Sequence, residues 1–159
     1  MSMLPFFQWM EALPTSNFVR QSTYLSAVFN LAHLLALVVF IGAVVVVDLR
    51  LLGTGMKDRP VAQVANDTRP WLMWSFFALF LTGIPQLTVY AMKQYYSPFF
   101  WFKMEVLIFA VIYTMTVRQW VTRADEAKIS PFWGKLVALV SLALWVAVIV
   151  PARYIGLTQ

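Results

Sequence analysis

Seven polar side chains stand inside stretches that are otherwise apolar: Asn30, His33, Asp48, Gln86, Lys103, Glu105 and, near the last such stretch's end, Arg153. In hydrocarbon each costs on the order of 1–3 kcal/mol, so each requires a reason. His33 is the chain's single histidine, and Lys103 is its most deeply placed lysine. An imidazole is a standard axial ligand of haem iron, and a lysine amine can serve when it is neutral. Two such nitrogens facing each other across an apolar bundle are a set that could hold a b-type haem, which needs no cysteine; the chain has none. The expected site therefore has His33 and Lys103 as iron ligands. Arg20 and Arg153 are the expected partners of the haem propionates, and Asn30 and Gln86 lie at the same depth.

Spacing relates these residues to helix faces. Asn30 and His33 are three apart and share a face, and Asp48, five full turns after Asn30, returns to it, so the three are expected along one bundle-facing seam filled by Leu37, Ile41 and Val44. Glu105 lies about 200° around the helix from Lys103 and needs another partner, for which Arg153 is the natural choice. Thr82 and Gln86 share a face that flanks Gly83 and Pro85, where the helix is expected to kink and open backbone carbonyls. Plainer readings stand beside these. His33 can be a hydrogen-bonded interhelical residue, Lys103 can snorkel to the headgroups, and Glu105–Arg153 can be a structural pair. The coincidence of the only histidine and the deepest lysine in one leaflet, on different helices, is what favours a ligand pair.

The elements that must position these residues are transmembrane helices. The 159 residues are 61% hydrophobic and 12% charged, with mean hydropathy +0.73, a composition for lipid rather than water. Without cysteine there are no disulfides, thiolate metal sites or iron–sulfur clusters, and one histidine excludes a multi-histidine cage within a monomer. Segments 25–47, 71–89, 99–117 and 132–150 are each long enough to cross a core of about 30 Å. Backbone groups in lipid must be paired within each segment, and four spans are too few for a closed barrel. The expected fold is an all-α integral membrane protein: an antiparallel four-transmembrane-helix bundle, one domain over 1–159, with a short interfacial helix in 1–21 anchored by Phe7 and Trp9. Gly53–Thr54–Gly55 should end the first helix, and Asn66–Asp67–Thr68 could cap the second before Pro70.

Orientation follows from the basic residues. Arg50, Lys57, Arg59, Arg69, Arg118, Arg123, Lys128 and Lys135 border the first and third loops, against Arg20, Lys93, Lys103 and Arg153 on the other side. That asymmetry places the first and third loops in the cytoplasm and both termini outside, the periplasm of an inner membrane if the cell is bacterial. Aromatic belts agree, with Trp71, Trp74, Trp120 and Trp133 at one boundary and Tyr90, Tyr95, Tyr96, Trp101 and Tyr154 at the other. The net charge of +5 reads as a topology signal rather than as a nucleic-acid surface.

The segment AHLLALVVFIGAVVVVDLRLL (Ala32–Leu52) resembles the opening helix of HemJ-type protoporphyrinogen oxidases, with His33, Gly42 and Arg50 in matching places. FFWFKMEVLIF (Phe99–Phe109) resembles the start of that family's third helix, with Lys103 in the lysine position, and RPWLMWSFFALFLTG (Arg69–Gly83) is similar to its second. The resemblance implies four membrane helices and a b-type haem held by the histidine and the lysine. VVDLRLLG (Val46–Gly53), with a histidine upstream, more closely resembles an uncharacterised bacterial family of four-helix membrane proteins, which often carry Glu where this chain has Asn30.

The expected function is that of a haem b-binding membrane protein that transfers electrons between a lipid-soluble or porphyrin-type partner and a respiratory chain. In an oxidase of this type Asp48 and Arg50 would be candidates for the inner end of the pathway. The alternative from a different class is a non-catalytic membrane subunit, without cofactor, that docks or stabilises a larger complex or pairs with further copies of itself. A transporter is disfavoured, because four spans without a repeat or a continuous polar stripe offer no pathway.

Overall fold

In the computed structural model, residues 3–124 and 130–157 are described, with side chains as far as Tyr154. Lys128, one of the charges used for orientation, lies outside the described residues. Every element among them is helical: α1 (Leu4–Ala12), α2 (Pro14–Gln21), α3 (Thr23–Leu52), α4 (Val61–Val89), α5 (Ala91–Tyr95), α6 (Pro98–Tyr113), a π-helical turn (Thr114–Arg118), α7 (Gln119–Arg123) and α8 (Pro131–Leu157). Four helices are long and apolar enough to span a bilayer: Thr23–Leu52, Val61–Val89, Pro98–Arg123 and Pro131–Tyr154. The fold is the expected all-α four-helix bundle.

The helices outrun the apolar segments that define them. Gly53 ends α3 as anticipated, in the left-handed conformation at φ 77°, with the Thr54 N–H closing on the Leu49 carbonyl at 3.1 Å. The α4 start is a correction. Pro60 precedes its first residue, so Asn66–Asp67–Thr68 and Pro70 lie inside the helix rather than capping it. The Thr68 hydroxyl satisfies itself by donating back to the Val64 carbonyl at 2.9 Å, which makes a polar residue tolerable there. The N-terminal segment is also corrected, to two helices rather than one. Pro5 and Pro14 each sit in a first turn, where the missing N–H costs nothing, and the chain bends at Leu13. Trp9 is exposed as an interfacial anchor would be, but Phe7 is buried against Tyr95, Phe100 and Trp101.

The bundle is an arc: α3 packs on α4 and on α8, and α8 packs on α6, whereas α4 and α6 share no extended backbone contact. The buried face of α3, Ala36, Phe40, Ala43, Val44, Val47 and Asp48, centres the core. Phe40 meets the Trp145 ring edge-on at 4.6 Å, and side chains of Leu72, Phe76 and Leu79 from α4, Val106 and Ala110 from α6 and Met115 from the π-helical turn close the middle of the arc around them. A second cluster of Phe7, Met10, Ala91 and Phe100 seals the end that carries the N-terminal helices. Charged side chains are thereby kept to the levels above and below the Phe40–Trp145 layer.

Candidate functional site

His33 lies on α3 between the two apolar clusters and faces α4. Its Nδ1 is 2.9 Å from the Thr82 hydroxyl oxygen, while that hydroxyl donates to the Ala78 carbonyl at 2.7 Å. With the hydroxyl hydrogen on Ala78, Thr82 accepts from Nδ1, and in that tautomer the lone pair is on Nε2. His33 also has a hydrogen bond to the Leu79 backbone. The ring approaches α4 this closely because residue 83 is glycine: a Cβ there would stand 3.3 Å from His33 Cε1. One turn on, Gln86 Nε2 donates to the Phe29 carbonyl at 3.0 Å and fixes α3 against α4 at the same level.

Lys103 sits in the first turns of α6 at the same end of the bundle, half-buried, with its ammonium 5.2 Å from the centre of the Phe100 ring. Arg20 is committed elsewhere. It donates to Glu11 at 3.0 Å and to the Val89 carbonyl at 2.8 Å, satisfying a free acceptor at the C-terminal end of α4, while the other Glu11 oxygen accepts from the Met92 N–H at the start of α5.

Two expectations fail here. Asn30 is exposed, not part of the seam. The fully buried face of α3 begins only at Ala36, so the helix is not enclosed at the level of Asn30. Glu105 and Arg153 are both exposed and form no ion pair among the described residues. At that level the α6–α8 interface is occupied by Phe99 against Tyr154, ring centres 4.5 Å apart. The structure thus brings together His33, Thr82 and Gly83, with Gln86 one turn on and Lys103 at the same end of the bundle, and leaves Asn30 and Glu105 exposed.

A second polar centre, at the opposite end, escaped sequence reading. Asp48 is fully buried and accepts from Arg118 Nε at 2.8 Å, while Arg118 Nη2 donates to the Val44 carbonyl at 2.9 Å. The π-helical turn carries Arg118 inward, and π-turns concentrate where a helix must re-aim a side chain. Around the pair, Trp145 Nε1 donates to the Thr114 hydroxyl at 3.2 Å and the Tyr113 hydroxyl donates to the Val137 carbonyl at 3.0 Å. Asp48 Oδ2 and Ser141 Oγ are both buried without a hydrogen bond of good geometry. The available signal was Asp48 itself: a carboxylate inside a span needs a cation at its own depth on a neighbouring helix, and Arg118 is the basic residue that ends the third span.

Among the described residues no group of three or more His, Cys, Asp or Glu could hold a metal ion. No curated protein and no solved structure matches the chain. Residues 6–158, nearly the whole sequence, match a family of unknown function, DUF6644, and the chain belongs to that family.

Proposed function

We propose that the chain is a haem b-binding integral membrane protein that transfers electrons, with His33 as an axial ligand through Nε2. The observation that carries this reading is the 2.9 Å bond between His33 Nδ1 and Thr82, which orients the ring; in the tautomer with the proton on Nδ1, Nε2 offers a lone pair. Metal-binding histidines are oriented by a hydrogen bond at the opposite ring nitrogen in this way. The donor set fits the group: an oriented imidazole, a lysine amine at the same level, and no demand for sulfur. A bound b-type haem would supply one-electron redox chemistry. The chain's own residues hold the ring (Thr82), let it approach α4 (Gly83), tie α3 to α4 beside it (Gln86) and steer the Lys103 amine (Phe100). Arg153, exposed at that end, is available to a propionate, whereas Arg20 would have to leave Glu11.

The likeness of Ala32–Leu52 and Phe99–Phe109 to HemJ-type proteins points the same way. By the Lys and Arg asymmetry, this site lies in the outer leaflet of a cell inner membrane, with both termini outside. Electrons would pass between a lipid-soluble or porphyrin-type partner and a respiratory chain. The second reading, a cofactor-free subunit of a larger complex, is favoured by one observation: Asn30 and Glu105 are exposed on helices that face lipid, where a partner helix would satisfy them.

The test is the absorption spectrum of the detergent-purified protein. A Soret band should be present and should vanish in His33→Ala. Lys103→Ala should leave a weakly held, spectrally altered haem, and Lys103→Arg should match it, because guanidinium has no free lone pair. Wild-type protein without haem after haem supplementation would sink this reading in favour of the subunit.

A further inference from the structure

The arc of helices leaves a cavity of about 550 Å³ between α4 and the π-turn–α7 segment, at the end opposite His33. Its floor is apolar, formed by Leu72, Met73 and Met115, and its rim is basic and polar, formed by Arg69, Arg123, Asn66 and Gln119. Among the described residues no Asp or Glu lines it. Arg118 also lines it. The Nε and Nη2 of Arg118 are spent on Asp48 and Val44, and its Nη1 makes no hydrogen bond among the described residues. With its charge offset by Asp48, the guanidinium groups of Arg69 and Arg123 meet no carboxylate among the described residues. Arg69 is exposed and has no hydrogen bond or ion pair among the described residues; Arg123 is held in place by the Gln119 side-chain oxygen at 2.8 Å.

We infer that this groove binds the phosphate of an anionic amphiphile, with the phosphate between Arg69 and Arg123 and the apolar part on the Leu72–Met115 floor. Three features support it. Guanidinium groups recognise phosphate oxygens by paired N–H donors. Among the described residues the rim adds neutral amides and no competing carboxylate. The groove opens where the apolar span gives way to charge, the level of lipid headgroups, and basic pockets between membrane helices hold anionic headgroups there. The site is separate from His33: Phe40, Trp145 and their neighbours fill the bundle between them.

The same phosphate chemistry occurs in a lipid headgroup and in a soluble anion, and two arms separate them. In the first, the full chain is purified in detergent with equal phosphatidylglycerol and phosphatidylcholine, and the retained lipids are counted by native mass spectrometry. Phosphatidylglycerol should be retained about tenfold over phosphatidylcholine, and Arg69→Gln with Arg123→Gln should bring the ratio near one. Lys57→Gln with Lys135→Gln removes the same charge from the same end of the bundle but outside the groove, and should leave the preference in place. In the second arm, thermal unfolding is followed against inorganic phosphate. Stabilisation at millimolar phosphate, lost in the arginine pair and kept in the lysine pair, would assign the site to a soluble phosphate even without lipid preference. No preference in either arm, or equal loss in both double variants, would overturn the proposal and reduce these arginines to a general charge bias of the loops.

Discussion

Replacing Arg118 by methionine strands a carboxylate that the bundle cannot hydrate. Asp48 is fully buried, Arg118 is 7% exposed, and the Nε–Oδ1 separation is 2.8 Å. At that distance and an effective dielectric near 20 the attraction is about 6 kcal/mol before desolvation. Removing one partner of such a pair costs about 3–5 kcal/mol. The unfolded state of a membrane protein also finds polar partners, so the lower part of that range is expected, about 3 kcal/mol. Arg118→Met also frees the Val44 carbonyl, and Asp48→Leu alone leaves a buried guanidinium with only that carbonyl. Each single change should therefore cost about 3 kcal/mol. Asp48→Leu with Arg118→Met should lose less than either, because no charge is left buried and an apolar pair can repack. Reversible unfolding in mixed micelles, arranged as a double-mutant cycle, reads the difference. Losses that simply add in the double variant would refute the reasoning, for they would mean that the two side chains do not stabilise each other.

Two further expectations are independent of that pair. Gly83→Ala places a methyl 3.3 Å from His33 Cε1, tight enough to displace the ring by a few tenths of an ångström. It should shift the haem spectrum while costing less than about 1.5 kcal/mol in thermal unfolding, and an unchanged spectrum in haem-loaded protein would detach Gly83 from the site. For orientation, a cysteine at Gly55 should be protected from an impermeant thiol reagent in intact cells and one at Tyr96, which is 69% exposed, should be labelled. The reverse pattern would overturn the charge argument.

What could be read from the sequence was what one helix determines by itself. Spans follow from length and apolarity, the Gly53 end of α3 from the need for a left-handed residue, and the Thr82–Gly83–Gln86 face from four-residue spacing. What could not be read was set between helices. Asn30 left the seam because neighbouring helices enclose α3 only from Ala36 onward, a limit that a single-helix angle does not contain. Glu105 and Arg153 were matched by depth alone, whereas the α6–α8 contact is decided by Phe99 and Tyr154. Arg118 counted as a loop charge because a π-turn, which moves it inward, has no sequence period. Pro70 looked like a helix start, yet the span simply continues through it, supported on both sides by helix-forming chain.

The distribution of polarity also bears on what the bundle can transport. His33 and Asp48 are fifteen residues apart on one helix, about 22 Å along its axis. Between them α3 presents Ala36, Phe40, Ala43 and Val44 to the interior, with Phe40 1% and Val44 0% exposed. Trp145 packs across this layer from α8, and its one polar atom points to Thr114 rather than into a channel. The hydroxyls at this layer, Ser75 and Thr114, are engaged with the Trp71 carbonyl and with Trp145, so an ion crossing the described monomer would meet no charged partner there, at a cost of several kcal/mol. The two polar centres are therefore local devices, each serving its own membrane face. Substitutions at one should add to substitutions at the other, because sites this far apart share no partner through which to interact.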